Sequence, residues 1–167
     1  GAERWVRATP APDPLEYTNA PRATPVIAGE RVFLFNAFGV LICANLADGA
    51  VRWQTSLRRA FHEAVPTWGF AATPLVVGDT VIVPGGAPEA FLAAFDVNTG
   101  QVRWTSPGAA PGYGNFVTAR LAGGLQLVGC DQASAGGWEP QTGKRRWTLT
   151  PPAPGEYHVP TPVIVTD

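Results

Sequence analysis

The sequence is poor in the features that mark several classes of protein. Methionine is absent, so the chain as given has no initiator, and no secretory signal peptide is visible at its start. Charged residues make up 15% of the chain and the net charge is −1, which provides no basic surface for nucleic acid. No apolar run reaches the roughly 18 residues needed to cross a bilayer. We therefore expect neither nucleic-acid binding nor a transmembrane segment.

Residues that carry chemistry are also scarce. The two cysteines, Cys43 and Cys130, lie two repeats apart, and we expect two free buried thiols and no disulfide. The two histidines are 96 residues apart, and the sequence has no nucleophile elbow, phosphate loop or His-Glu-x-x-His zinc motif. The sequence thus indicates no catalytic residues and no metal site.

What the chain does contain is a pentapeptide that recurs four times. It occupies residues 1–5, 49–53, 100–104 and 143–147, begins with glycine and ends with Arg-Trp, and its tryptophans are 48, 51 and 43 residues apart. A Thr-Pro pair recurs with a similar period, at residues 24–25, 73–74 and 161–162, with Thr-Ala at 118–119. Self-similarity at a period of roughly 20–50 residues indicates a repeat architecture.

Each repeat reads as four short strands. Within residues 24–56, apolar runs are separated by Gly29, by a turn over residues 36–39 and by Asp48-Gly49, and Asp-Gly is a strong signal for a tight hairpin. No segment shows a helical period over three turns. Four strands per repeat of this length is the blade of a β-propeller, so we predict an all-β propeller segment of four-stranded antiparallel blades.

The repeats divide the chain into one partial propeller domain over residues 1–167. We predict complete blades at residues 24–56, 73–106 and 118–149, with an orphan last strand at 1–7 and an orphan first strand at 161–167. Three blades cannot close a ring, because propellers have about four to eight. We therefore expect the chain to be a slice of a longer propeller that is poorly soluble or self-associates when expressed alone.

The segment from Ala94 to Trp104 resembles the Ala-x-Asp-x-x-Thr-Gly-x-x-x-Trp motif of propellers with pyrroloquinoline-quinone-like (PQQ-like) repeats, and residues 45–53 and 139–147 are relaxed copies. The resemblance implies that the tryptophans dock between adjacent blades, while a glycine permits the turn and a polar residue caps it. We accordingly expect buried indoles at Trp53, Trp104 and Trp147. The full set assigned to structural docking is Trp5, Trp53, Trp104, Trp147, Gly49, Gly100, Gly143 and Asp96.

Long links between blades form the candidate binding face. The links at residues 8–23, 57–72, 107–117 and 150–160 share one face of a propeller with the turns between strands two and three, and loops of this length tend to be functional or disordered. Phe70, Asn115 and His158 occupy equivalent positions of successive repeats, because each precedes the Thr-Pro position by the same interval. We therefore expect them to point similarly toward the channel mouth. The candidate residues of this long-loop face are Arg22, His62, Glu63, Trp68, Tyr113, Asn115, Asp131, Tyr157 and His158.

Each of these candidates also has a purely structural interpretation. His62-Glu63 is an oriented base or a surface pair, and His158 is a ligand or a locally hydrogen-bonded histidine. Asp131 contributes to a metal site or caps a turn, and Trp68 is a stacking platform or a loop anchor. Single residues do not decide between these alternatives without their mutual geometry.

The resemblance implies two functions of different classes. The first is a non-catalytic, extracytoplasmic binding scaffold, periplasmic or secreted, that takes a protein or a small ligand on the long-loop face and uses no cofactor. The alternative is a fragment of a quinoprotein alcohol or sugar dehydrogenase that uses PQQ and calcium. That family shows an adjacent cysteine pair and a Glu, Asn and Asp ligand set, which this sequence does not match, so the scaffold is the favoured prediction.

Overall fold

The computed structural model describes residues 1–9, 11–12, 14–16, 21–62, 64–152 and 159–165. Twelve strands and one short helix occur in these ranges. Blade 1 contains β1 Val26–Ala28, β2 Arg31–Phe35, β3 Val40–Asn45 and β4 Val51–Ser56, and α1 Leu57–Phe61 follows it. Blade 2 contains β5 Leu75–Val77, β6 Thr80–Ala87, β7 Ala90–Asp96 and β8 Val102–Ser106. Blade 3 contains β9 Val117–Leu121, β10 Gly124–Cys130, β11 Ala135–Trp138 and β12 Arg145–Leu149.

Each blade is a four-stranded sheet in which consecutive strands pair antiparallel. Short apolar strands alternate with tight turns and so produce this meander. Tight turns often need a residue with a positive φ, and glycine adopts that conformation readily. The predicted all-β fold and its four-stranded antiparallel blades are confirmed.

A β-bulge recurs in the fourth strand of every blade. Opposite β3, β7 and β11 the ladder skips one residue, and the skipped residue is the arginine of the pentapeptide: Arg52, Arg103 or Arg146. A bulge bends the strand and redirects a side chain. Here the arginine turns back onto the polar residue at the end of the third strand or directly after it, as Arg146 does with Glu139 at 2.6 Å. The same pairing joins Arg103 to Asp96 and Arg52 to Asn45.

The tryptophan after each bulge reaches the following blade. The Trp53 Nε1 donates to the carbonyl oxygen of Val97 at 3.0 Å, and the Trp104 Nε1 donates to that of Pro140 at 3.1 Å. Trp5, from the first pentapeptide, makes the same bond to Leu46 of blade 1 at 2.9 Å. One contact is therefore used three times between successive repeats.

The turns that the tryptophans contact require glycine. Gly49, Gly100 and Gly143 all have φ near 70°, a conformation that side chains rarely adopt. A Cβ at Gly49 would lie 2.7 Å from the ring of Trp5, and one at Gly100 would lie 2.5 Å from the ring of Trp53. The indole ring therefore lies flat against a backbone that carries no side chain. We call each such turn, Leu46–Gly49, Val97–Gly100 and Pro140–Gly143, an acceptor turn.

The three indoles expected to be buried at blade junctions are less buried than expected: Trp53 and Trp104 are half-buried, and Trp147 departs furthest. Its side chain remains 37% exposed, and its Nε1 donates to Gln126 of the same blade at 2.8 Å. The physical reason is local: within the described ranges, no acceptor turn lies against it, so the indole is satisfied on its own sheet.

Two hydrophobic clusters lie between the blades. Phe33 and Phe95 belong to the cluster shared by blades 1 and 2. Trp138 is completely buried in the cluster shared by blades 2 and 3, with ring centroids 5.7 Å from both Phe91 and Phe116.

One feature differs from the expectation. The helix α1 was not predicted, because five residues are too few to show a helical period; Leu57 is buried and Phe61 packs 6.5 Å from Phe95. The end segments, residues 1–7 and the described residues 161–165, form no strand ladder. Strand pairing needs a partner strand on at least one side, and none is placed beside these segments in the part of the chain that the structure describes.

Candidate functional site

The links between blades and the turns between second and third strands share one face. Phe70 N donates to Ala37 O at 2.9 Å, which ties the link after blade 1 to the β2–β3 turn. Gly108 N donates to Pro88 O at 2.9 Å, which does the same for blade 2. These backbone bonds give the long-loop face a fixed frame instead of free loops.

An aromatic pair lies on this face. The rings of Trp68 and Tyr113 are 5.3 Å apart and inclined at 44°, and they come from the links after blades 1 and 2. The Trp68 Nε1 donates to the Glu16 carboxylate at 2.8 Å, and the Arg22 guanidinium donates to the Glu16 backbone carbonyl at 2.8 Å. Three of the long links thus converge here. We call these four residues, Glu16, Arg22, Trp68 and Tyr113, the aromatic cluster.

The cluster has the composition of a binding surface. Tryptophan and tyrosine supply large apolar area with a polar end, and both are enriched at interface positions where truncation is costly. Trp68 is partly exposed and Arg22 is half-buried, so part of the cluster remains accessible to solvent. Glu16 was not among the predicted site residues, and no sequence motif marks it.

Asn115 joins the blades near the start of their first strands. Its Oδ1 accepts from Thr73 N at 2.7 Å, and its Nδ2 donates to Thr161 Oγ1 at 3.1 Å. Thr24 N donates to Thr73 Oγ1 at 3.4 Å, so the recurring threonines form a chain of bonds from one repeat to the next. Asn115 therefore acts as a connector, and its amide is already engaged.

Phe70 does not accompany Asn115, and the expectation that the two point alike is wrong. The Phe70 side chain is 3% exposed and packs 5.2 Å from Phe35 in the core between blades 1 and 2. An apolar ring gains more from burial than from exposure to solvent, so the side chains at equivalent positions of two repeats have different surroundings. His158, the third member of this set, lies outside the described residues.

Asp131 caps the turn between β10 and β11. Its side chain is 1% exposed, and it accepts from Ser134 N at 2.7 Å, from Ala133 N at 2.9 Å and from the Arg145 guanidinium at 3.1 Å. Burial alone would raise the pKa of Asp131, but the bonds from Ala133 and Ser134 and the Arg145 charge bring it below the usual range. The carboxylate is ionised and fully engaged, which favours the turn-cap interpretation over a ligand role.

The remaining candidates are dispersed. His62 is exposed at the C-terminal end of α1, with the positive φ of 56° that a helix C-cap often adopts. Glu63 and Tyr157 lie outside the described residues. The structure thus brings together Arg22, Trp68 and Tyr113, and it places Asn115 and Asp131 in structural bonds.

Among the described residues, no cluster of acidic side chains marks a calcium site. Calcium takes six to eight oxygen ligands, yet the described residues contain no group of three or more His, Cys, Asp or Glu side chains that could hold a metal ion. Cys43 and Cys130 are both free, in different blades, but only Cys43 is buried as expected, because Cys130 lies at the end of its strand and is half-buried. Burial raises the pKa of both thiols, so they remain protonated near neutral pH. No step through PQQ or calcium follows from these side chains.

The comparisons with known proteins agree with this architecture. A model of the PQQ-like repeat family, described as outer membrane protein assembly factor BamB, matches residues 1–164. The chain belongs to this family of PQQ-like β-propellers. No curated protein sequence matches the chain at a significant level.

Solved structures show the same fold at low sequence identity. BamB from Moraxella catarrhalis is 22% identical with a TM-score of 0.53, over 73% of this chain and 34% of that chain. A europium-containing methanol dehydrogenase is 16% identical with a TM-score of 0.58, over 76% and 31%. The quinohemoprotein alcohol dehydrogenase from Comamonas testosteroni is 17% identical with a TM-score of 0.57, over 81% and 28%.

The matched region spans only about a third of each of these structures. Both assembly factors and dehydrogenases occur among them, so the likeness establishes the propeller fold and not an activity. None of the helices in the described residues is long and apolar enough to span a membrane.

Proposed function

We propose that this chain is part of a non-catalytic binding scaffold that uses its long-loop face. The observation that carries the proposal is the aromatic cluster, in which Trp68 and Tyr113 are held together by links from separate blades. A preorganised aromatic surface loses little conformational entropy on binding, which favours a binding role over a catalytic one.

The family suggests the kind of partner. Because the matching family model is described as an outer membrane protein assembly factor, we propose a location outside the cytoplasm and a protein partner of the outer-membrane β-barrel type. The strands of such chains alternate apolar and polar residues and carry aromatic residues near their ends, and a partly exposed Trp-Tyr pair is complementary to them.

We further propose that the scaffold works without PQQ or calcium. Support comes from the side chains that face the long loops: the Asp131 carboxylate is bound by its own turn and by Arg145, and the Glu16 carboxylate is bound by Trp68. The dehydrogenase alternative would need oxygen donors that are not already committed to the fold.

Fluorescence anisotropy provides the test. A labelled outer-membrane β-barrel protein, unfolded in urea and diluted into buffer, is titrated with the chain and with a Trp68→Ala/Tyr113→Ala double variant. We expect saturable binding, and we expect the double variant to weaken it at least about tenfold, as for interface hot spots. The matched control is Gln101→Ala/Gln141→Ala, which trims two exposed residues on the turns of the opposite face.

Two results would overturn the proposal. One is equal binding by the wild-type chain and the double variant, which would place the interaction elsewhere. The other is an absence of binding together with dye-linked alcohol oxidation after incubation with PQQ and calcium, which would favour the dehydrogenase alternative.

A further inference from the structure

Asn115 occupies a place that threonine holds in the two preceding blades. Thr24 and Thr73 each lie two residues before the first strand of their blade, and Asn115 lies two residues before Val117, where β9 begins. The Thr-Pro pairs align Thr118 with these threonines, but by strand position their counterpart is Asn115. Blade 3 therefore begins with an amide where blades 1 and 2 begin with a hydroxyl.

The amide makes a shorter bond than the hydroxyl does. Thr24 N donates to Thr73 Oγ1 at 3.4 Å, which is longer than the usual range of about 2.7–3.2 Å. Thr73 N donates to Asn115 Oδ1 at 2.7 Å. The asparagine oxygen lies one bond further from the backbone than a threonine hydroxyl, so it reaches closer to the preceding blade. At this level of the fold, blades 2 and 3 are joined more tightly than blades 1 and 2.

This bond joins the two links that carry the aromatic pair. Asn115 follows Tyr113 by two residues, and Thr73 directly follows the link that contains Trp68. Because a backbone N–H donates and does not accept, the bond from Thr73 also fixes which end of the Asn115 amide faces blade 2. The Nδ2 then donates to Thr161 Oγ1 at 3.1 Å, so bonds at both ends hold the amide in one orientation.

The same link is anchored on the other side of Tyr113. Gln132 N donates to Ala110 O at 2.9 Å, and Pro111 forms an isolated β-bridge with Asp131 in the β10–β11 turn. Three residues separate this bridge from the anchor at position 115. A segment that is short and held at both ends has little conformational freedom, so its two anchors determine where Tyr113 lies.

We propose that Asn115 is a positioning residue that sets the Tyr113 ring against Trp68. This role rests on the proposed function, because it assigns a determinant of the aromatic cluster that the scaffold uses. Blade 1 anchors the Trp68 link through the bond from Phe70 N to Ala37 O, whereas blade 3 anchors the other link. The contact between the rings therefore depends on a bond that joins the two links, and Asn115 supplies it. A pair held in one arrangement binds more tightly than a pair that samples several.

Fluorine NMR tests this geometry without any partner. The chain has three tyrosines, so labelling with 3-fluorotyrosine gives three resonances, and Tyr113→Phe assigns one of them. That resonance carries a ring-current shift from Trp68, which Trp68→Ala removes. Asn115→Thr, which introduces the residue of blades 1 and 2, should move the resonance most of the way toward its position in Trp68→Ala. Asn115→Asp keeps the Oδ1 acceptor and should leave the resonance near its wild-type position.

Thr73→Val is the matched control. It removes the hydroxyl that Thr24 N contacts and keeps the N–H that donates to Asn115, so it should leave the Tyr113 resonance in place. The midpoint of urea unfolding should be the same for Asn115→Thr and the wild-type chain, because threonine serves at this place in two blades. A Tyr113 resonance that stays in place in Asn115→Thr, or that moves as far in Thr73→Val, contradicts the proposal.

The anisotropy titration with the labelled β-barrel protein measures the consequence for binding. Asn115→Thr should weaken binding about threefold to tenfold, because a smaller fraction of the chain holds the competent arrangement, and Asn115→Asp should restore it. Unchanged affinity in Asn115→Thr despite a moved resonance would contradict a positioning role in binding. A moved resonance together with no binding by the wild-type chain would support Asn115 as the residue that places Tyr113 and would overturn the proposed function alone.

Discussion

The Trp104 indole donates its hydrogen bond to the carbonyl oxygen of Pro140, a residue of the next blade, at 3.1 Å. The bond spans 36 residues of sequence and couples the fourth strand of blade 2 to a turn of blade 3. Because Trp5 and Trp53 make the same bond to their own following turns, one repeated contact holds the array together.

Truncation of Trp104 is therefore expected to be far more costly than truncation of Trp147. Trp104→Ala should lower the free energy of unfolding by about 3–5 kcal/mol, since it removes packing and leaves a cavity at the junction. Trp147→Ala should cost about 1 kcal/mol or less, because its ring is partly exposed and stays on its own sheet. Urea unfolding monitored by circular dichroism, below the concentration of self-association, measures both. Equal losses would contradict the docking of Trp104.

Glycine substitutions separate backbone strain from steric contact. Gly29 has φ of 59° and open space around it, whereas Gly100 has φ of 69° and the Trp53 ring against it. Gly29→Ala should cost about 1–2 kcal/mol from the left-handed backbone alone. Gly100→Ala should cost clearly more, because the methyl group also displaces the indole. Thermal and urea unfolding of the two variants provide the comparison, and equal destabilisation would show that the ring is not held there.

Asp96 makes stability depend on pH at the acid end. The Arg103 guanidinium, and then the N–H groups of Thr99 and Asn98, lower the pKa of Asp96 to about 2, from an ordinary 3.8. A carboxyl with a lowered folded pKa contributes stability that is present above pH 4 and is lost as the pH falls toward 2. We expect the unfolding free energy of the wild-type chain to fall across that window.

Asp96→Asn is the matched variant, because blade 1 already has Asn45 paired with Arg52 at this position. We expect lower stability at pH 7 and a shallower decline between pH 4 and 2. Asp131 and Glu139 also have lowered pKa values, so they preserve part of the pH dependence of the unfolding free energy in this variant. Parallel stability curves for the two proteins would show that Asp96 is not the coupled group.

Cofactor binding is expected to be absent. Isothermal titration of the chain with PQQ in the presence of calcium should give no complex of micromolar or better affinity, since a calcium site needs several oxygen ligands that are not otherwise engaged. A soluble quinoprotein dehydrogenase serves as the positive control. A micromolar complex would contradict the scaffold proposal and favour the alternative.

Much of the fold follows from local patterns in the sequence. Asp48-Gly49 and its counterparts mark hairpins, and alternating strands between them define blades without reference to distant residues. The arginine of the pentapeptide was visible in all four copies, but its role was not, because a bulge is a property of the ladder and leaves no periodic signal.

The surroundings of individual side chains could not be predicted from the sequence. Phe70 and Asn115 share a register position, yet one is buried in a core and the other bonds Thr73 and Thr161. The contact of Trp68 with Glu16 joins links 52 residues apart and depends on how loops cross, which no local pattern encodes. The blades could therefore be predicted, whereas the aromatic cluster required the tertiary structure.

A double-mutant cycle between Trp104 and Gly143 tests the central claim most directly. The claim is that the tryptophan of one blade lies against the glycine of the next, as the contact of a Gly143 Cβ with the Trp104 ring indicates. We expect Gly143→Ala to cost at least about 1 kcal/mol less in the Trp104→Ala background than in the wild type, because the clashing ring is gone. The same substitution in a Trp53→Ala background, where the ring at Gly143 is retained, should cost as much as in the wild type. Additive losses for Trp104 and Gly143 would contradict the account.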